Sequence, residues 1–203
     1  MIEEKPLKLL RKENIGFGLL LVSMIISLIF CMNSSIIEIT LSDVAYEYRV
    51  WFFVWGVFTS LGIYINSRIM AEKLEFINKW FDILLFISSV SLLIVVSILG
   101  EPIWMKVIHK TFSIVFGVLG FTCVMWLFII HHQKLLKTNS FTKIPYLTIL
   151  TGAAIIDIVS IFQYGLTIFC ELFIIIVCEI MILTLLYVEK IKLVNKELVD
   201  IFS

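Results

Sequence analysis

Six long runs of apolar residues alternate with short polar connections along almost the whole chain. Each run has about 17–24 residues, close to the ~20 that an α-helix needs to cross the hydrocarbon of a bilayer. The pattern predicts an all-α, polytopic membrane protein, a single domain over residues 1–203 in which six transmembrane helices form one bundle. The predicted spans cover residues of about 15–32, 50–66, 80–99, 107–130, 144–162 and 166–188.

Composition agrees with this class. Hydrophobic residues make up 61% of the chain and charged residues 16%, whereas soluble domains have about 45–50% and about 25%. The four cysteines lie in or beside the apolar runs without a CxxC or Cys/His cluster, so we expect no metal site and no cofactor. No basic platform for nucleic acid is present, and the expected partners are membrane lipids, with another membrane protein as the alternative.

Basic residues are distributed unevenly between the two sides that six spans define. The side that carries both termini has thirteen lysines and arginines near the spans, and the opposite side has three. Because lysine and arginine accumulate in cytoplasmic connections, both the N-terminus and the C-terminus are predicted to be cytoplasmic.

The last two spans contain carboxylates, and an ionisable group inside a membrane span is by default a candidate functional site. Asp157 lies in the fifth span, and Glu171 and Glu179 lie in the sixth. Asp157 and Glu171 are each five residues from the outer end of their span, or ~8 Å along a helix. They are therefore predicted to lie at one depth in neighbouring helices. His109 opens the fourth span on the same side, just after Glu101 in the preceding loop.

Small and polar residues recur at helical spacing on the last three spans, which predicts a polar pocket that opens outward between helices four, five and six. The stripes are His109, Ser113, Gly117 and Gly120; Ala153, Asp157, Ser160 and Tyr164; and Thr167, Glu171 and Cys178. The candidate pocket residues are His109, Ser113, Asp157, Tyr164 and Glu171. Glu179 lies deeper, with no predicted partner at its level, and is a secondary candidate together with Glu101. No catalytic residue is predicted, because no hydrolase, metalloprotease or nucleotide-binding motif occurs.

Three short motifs carry a resemblance to a known family. They are Leu41-Ser42-Asp43 followed by Glu47 and Val50-Trp51-Phe52, then His109 after a short outer loop, and Cys170-Glu171 near the start of the sixth span. In these motifs the chain resembles the six-helix DRAM/FRAG/Sfk-type family of membrane proteins. The resemblance implies a non-enzymatic protein that affects lipid handling or membrane signalling, and it nominates Ser42, Asp43, Glu47, His109 and Glu171.

The leading hypothesis is therefore a non-enzymatic membrane protein that binds a lipid or small amphiphile in the outer pocket. Three alternatives stay open. The carboxylates could only fix helix packing; Asp157, Glu171 and Glu179 could form the path of a small proton-coupled transporter; or the stripe on the fourth helix could dock another membrane protein, as in an accessory or immunity protein. An enzyme is the weakest interpretation.

Overall fold

The structure is a computed structural model that describes residues 4–33, 40–98, 102–136, 145–164 and 171–186. Every regular element in these ranges is a helix, which confirms the predicted all-α class. The helices are α1 (Glu4–Asn33), α2 (Leu41–Glu47), α3 (Arg49–Lys73), α4 (Lys79–Ser97), α5 (Ile103–Leu136), α6 (Pro145–Tyr164) and α7 (171–186).

Four of these helices are long and apolar enough to cross a membrane. The candidate spans are Lys12–Met32, Arg49–Lys73, Lys79–Ser97 and Ile103–Gln133, and α6 contains a shorter apolar stretch, Thr148–Gln163. Their length and composition identify an integral membrane protein.

Helix α3 runs further than its predicted span, because it continues to Lys73 through residues expected to form a charged connection. Both basic side chains of this last part have acidic partners on neighbouring helices. Arg68 Nε lies 3.6 Å from Asp82 Oδ1 on α4, and Lys73 Nζ lies 2.9 Å from Glu13 Oε1 on α1. Long basic side chains at a helix end can reach polar partners outside the hydrocarbon, so the helix continues beyond the apolar run.

The helices pack in chain order at first, α1 on α3, α3 on α4 and α4 on α5, while α6 contacts α5. Glycines allow two of these contacts to be close. A Cβ atom added to Gly62 of α3 would lie 2.7 Å from Leu20 Cδ2 on α1, and one added to Gly56 would overlap Val96 of α4. Close backbone approach through small residues is a main source of helix association in lipid.

Helices α6 and α7 differ in their position in the bundle. On α6 most apolar side chains between Ile155 and Phe162 are exposed, while Leu150 and Ala153 are buried. On α7 one face is buried, comprising Leu172, Cys178, Glu179, Met181, Ile182 and Leu185. Within the described ranges, α6 therefore has a broad lipid-facing surface and α7 belongs to the interior.

Candidate functional site

Glu179 is the most buried carboxylate of the described residues, with 0% of its surface exposed. Ser23 of α1 donates a hydrogen bond of 2.6 Å from its Oγ to Glu179 Oε1. The Ser23 hydroxyl oxygen also lies 2.5 Å from Thr59 Oγ1 on α3. The expectation that Glu179 has no partner at its level was wrong, because the partner comes from the first helix of the chain. We call Ser23, Thr59 and Glu179 the Glu179 cluster.

The three members of the Glu179 cluster lie at similar distances along their helices from the C-terminal end of α1, the start of α3 and residue 171 of α7. Ser23 is ten residues from the end of α1, Thr59 is ten from the start of α3, and Glu179 is eight from residue 171. At ~1.5 Å per residue these separations are about 15, 15 and 12 Å. Each of these separations is about half of the ~30 Å that hydrocarbon spans in a bilayer.

A regular spacing on α1 positions Ser23. Five of the six buried positions described on α1 recur at alternating intervals of four and three residues, namely Gly16, Leu20, Ser23, Ser27 and Phe30, and Ile26 is the sixth. This is the spacing of helices that pack with left-handed, coiled-coil-like geometry. Ser27 faces the same neighbour, since Trp55 Nε1 of α3 donates a hydrogen bond of 2.8 Å to its Oγ. The spacing was present in the sequence and is the signal that could have identified Ser23 as a core position.

Glu171, a primary candidate, links α7 to the start of α2. Its Oε2 accepts a hydrogen bond of 2.6 Å from the backbone N–H of Leu41, at the start of α2. The same turn is closed by a capping box, in which Thr40 N donates to Asp43 Oδ2 at 2.8 Å and Asp43 N donates to Thr40 Oγ1 at 3.3 Å. Glu171 therefore holds the N-terminal part of α7 against the start of α2, and Glu47 at the end of α2 is exposed.

His109 and Ser113 make their hydrogen bonds on α4 and α5. His109 Nδ1 lies 3.1 Å from the carbonyl oxygen of Val95 on α4. Ser113 Oγ donates to the carbonyl oxygen of His109 at 2.9 Å, which is a bond to the preceding turn of its own helix. The hydroxyl of Ser113 is thus bonded to backbone, which gives no support to a Ser–His nucleophile.

Asp157 is half-buried on α6, and its Oδ1 is buried without a hydrogen-bond partner among the described residues. Among the described residues, no hydrogen bond links Asp157 with Glu171. The carboxylate of Glu171 is bonded instead to the backbone N–H of Leu41. The predicted closeness of the two carboxylates stays a prediction. Glu101, Thr167 and the side chains of Ser42 and Tyr164 lie outside what the structure describes.

A cavity of about 40 Å³ lies between α3, α5 and α7. Its lining is apolar: Ile63, Phe116, Gly117, Gly120, Phe121, Val124, Ile174, Ile175 and Cys178. We call it the α3/α5/α7 groove. Two members of the predicted stripe on the fourth span line it. A Cβ atom on Gly117 would meet nothing within 4 Å, whereas one on Gly120 would lie 2.9 Å from Ser88 Oγ.

This groove differs from the expected pocket in its lining and its position. The expected pocket was polar and lay between helices four, five and six, but the described lining of the groove comes from the second, fourth and sixth predicted spans and is apolar.

Over the described ranges, no group of three or more His, Cys, Asp or Glu side chains could hold a metal ion. Comparisons with models of known families, with curated proteins and with solved structures find no match to this chain.

Proposed function

We propose that this protein binds one acyl chain of a lipid or small amphiphile in the α3/α5/α7 groove, without catalysing a reaction. The polar end of the amphiphile lies on the outer side, near His109, Asp157 and Glu171. In the same proposal the bundle has six spans, with α6 and α7 as the fifth and sixth, and both termini are cytoplasmic.

The observation that carries the proposal is the order of polar and apolar surface along α7. Ile174 and Ile175 of the groove follow Glu171 by three and four residues, which is ~5 Å along a helix. A polar rim above an apolar slot is complementary to an amphiphile, since ligand sites combine apolar walls with a few polar groups that fix orientation.

The volume of the groove limits its occupant. A cavity of about 40 Å³ holds about three water-sized groups at ~10–15 Å³ each. That space suits a segment of a single flexible chain and is too small for a sterol or another rigid ring system.

Two further observations support the proposed class and orientation. The DRAM/FRAG/Sfk-type resemblance implies lipid-related, non-enzymatic work, and we propose membership of that family. The hydrogen bond from Leu41 to Glu171 joins two of the motifs on which the resemblance rests. The excess of basic residues on the side of the termini supports the orientation, which is tested by labelling terminal tags before and after the membrane is permeabilised.

A pair of glycine variants tests the groove. Gly117 and Gly152 each have open space where a Cβ would lie, so a side chain can begin at either position without a clash at its Cβ. Gly117→Leu fills the groove, whereas Gly152→Leu places the same side chain on α6. A fatty acid with a photoreactive diazirine in its chain is cross-linked to the full-length protein in phosphatidylcholine vesicles, and the labelled peptides are identified by mass spectrometry.

We expect the probe to label peptides of α5 and α7 around the groove in wild type and in Gly152→Leu. The same labelling should be lost in Gly117→Leu. Labelling spread evenly around all lipid-facing helices, with no change in Gly117→Leu, would contradict the proposal.

A purely structural role for the carboxylates is the second candidate, and the Glu179 cluster favours it. There, Ser23 and Thr59 tie Glu179 into the junction of three helices. The proton-coupled transporter and the accessory or immunity partner remain alternatives, and the glycine pair separates them from the leading proposal because neither requires an acyl chain in the groove.

A further inference from the structure

The Glu179 cluster contains a carboxyl group without a counter-charge. No lysine, arginine or histidine occurs in the helix segments around the level of Glu179. These segments are residues 14–32 of α1, 50–67 of α3, 83–97 of α4, 111–130 of α5 and 172–186 of α7. The other titratable groups in these segments are Cys31, Tyr64, Cys123 and Cys178. None of these four becomes positively charged in either protonation state, so no side chain of these described segments can neutralise an ionised Glu179.

If Glu179 were ionised, its carboxylate could only accept, and the direction of the hydrogen bonds in the cluster would follow from that. The Ser23 hydroxyl has one proton, which it would then donate to Glu179 Oε1. The 2.5 Å contact between the Ser23 and Thr59 oxygens would therefore require Thr59 to be the donor. The resulting chain would run from Thr59 to Ser23 to Glu179, and it would supply the carboxylate with one neutral hydrogen bond.

The second carboxyl oxygen of Glu179 receives no hydrogen bond from the described residues. This oxygen, Oε2, is also buried. An ionised carboxylate taken out of water needs several donors or a counter-ion, and one neutral donor is far too little compensation. A neutral carboxylic acid carries no charge and does not need that compensation, and its Oε1 can accept from Ser23 Oγ or donate to it, since either oxygen of the Ser23–Thr59 contact can be the donor.

We infer that the Glu179 cluster is a proton-binding site inside the membrane, in which Glu179 is held as a neutral acid whose Oε1 is hydrogen-bonded to Ser23. The ligand is a proton that neutralises the acid at the junction of α1, α3 and α7. This site is separate from the α3/α5/α7 groove, and the inference does not rest on the proposed binding of an amphiphile. Thr59 and Ser23 are positioning residues, because they orient the carboxyl group through the hydroxyl chain.

Infrared spectroscopy of the full-length protein in phosphatidylcholine vesicles at neutral pH tests the inference. A protonated carboxyl group shows a C=O stretching band that is distinct from the bands of ionised carboxylates and shifts when the proton is exchanged for deuterium. We expect this band in wild type and its loss in Glu179→Gln. The amide introduced by this substitution keeps an oxygen that accepts from Ser23, so the fold should persist in the variant. Asp157→Asn is the matched control and should retain the band.

Two results would overturn the inference. The first is a wild-type spectrum without the protonated carboxyl band, or with a band that Glu179→Gln leaves unchanged. The second is a band that disappears when sodium chloride replaces choline chloride, because a metal cation and not a proton would then neutralise Glu179. A band that is insensitive to sodium and is lost only in Glu179→Gln supports a proton site.

Discussion

Replacement of Ser23 by alanine is the sharpest test of how the first and last helices are joined. The Ser23 hydroxyl takes part in two hydrogen bonds, one to Glu179 Oε1 and one with Thr59 Oγ1. Removing it leaves the carboxyl group of Glu179 and the hydroxyl of Thr59 each without this hydrogen-bond partner. Hydrogen bonds between membrane helices contribute on average about 0.6 kcal/mol and at most about 1.7 kcal/mol, and a buried polar group left unsatisfied costs about 1–3 kcal/mol. We therefore expect Ser23→Ala to lower the free energy of unfolding by about 2 kcal/mol.

Two serine variants calibrate this expectation. Ser27→Ala removes a single hydrogen bond, from Trp55, and should cost about half as much. Ser97→Ala removes only an exposed bond to the preceding turn of α4, and its effect should be within about 0.5 kcal/mol of zero. Unfolding is followed in mixed micelles by titration with sodium dodecyl sulfate, using tryptophan fluorescence and circular dichroism.

The order of the three effects decides the outcome. If Ser23→Ala is no more destabilising than Ser97→Ala, the hydroxyl of Ser23 does not join the helices. The hydrogen bonds of the Glu179 cluster would then be refuted. A double-mutant cycle that combines Ser23→Ala with Thr59→Val supplies a further check. The two changes should be less than additive, because each removes the same contact.

Two more predictions concern other contacts of the bundle. Gly62→Ala should destabilise the protein by about 1–2 kcal/mol, because the added Cβ would lie 2.7 Å from Leu20 Cδ2, whereas Gly117→Ala has open space and should gain up to about 1 kcal/mol from helix propensity; thermal unfolding in detergent that ranks the two equally would contradict the α1–α3 packing. Glu171→Ala should cost about 1.5–3 kcal/mol because the N–H of Leu41 loses its acceptor, while Glu171→Gln keeps an oxygen and should lose less. Hydrogen exchange at the Leu41 amide checks this, and equal exchange rates in both variants would count against the contact.

Hydrophobic periodicity was sufficient to predict the class of the protein and most helices, since each predicted apolar run corresponds to a described helix. It did not predict α2. The signal for this helix is the capping pair Thr40 and Asp43, which lies inside a polar connection with no apolar run. The prediction that α3 ends near residue 66, where charged residues begin, was also wrong. Arg68 and Lys73 lie within the helix and pair with Asp82 and Glu13.

The candidate site was less predictable, and the reason is long-range pairing. Depth along a helix can be counted from sequence, and it assigned Glu171 to the outer end of its span and Glu179 to a deeper level. The helix that lies beside Glu179 cannot be predicted by counting residues along one span, because its partner Ser23 is 156 residues away in the chain. The same limit applies to the groove, where Ile63 of α3 faces α5 and α7.

The central functional claim is that a single acyl chain occupies the α3/α5/α7 groove. Native mass spectrometry of the full-length protein, released from vesicles of defined phospholipid and stripped of bulk detergent, measures it directly. We predict one retained lipid or fatty acid per protein in wild type and in Gly152→Leu, and loss of that species in Gly117→Leu. Wild-type protein that retains no amphiphile, or equal retention by Gly117→Leu and Gly152→Leu, would contradict the account.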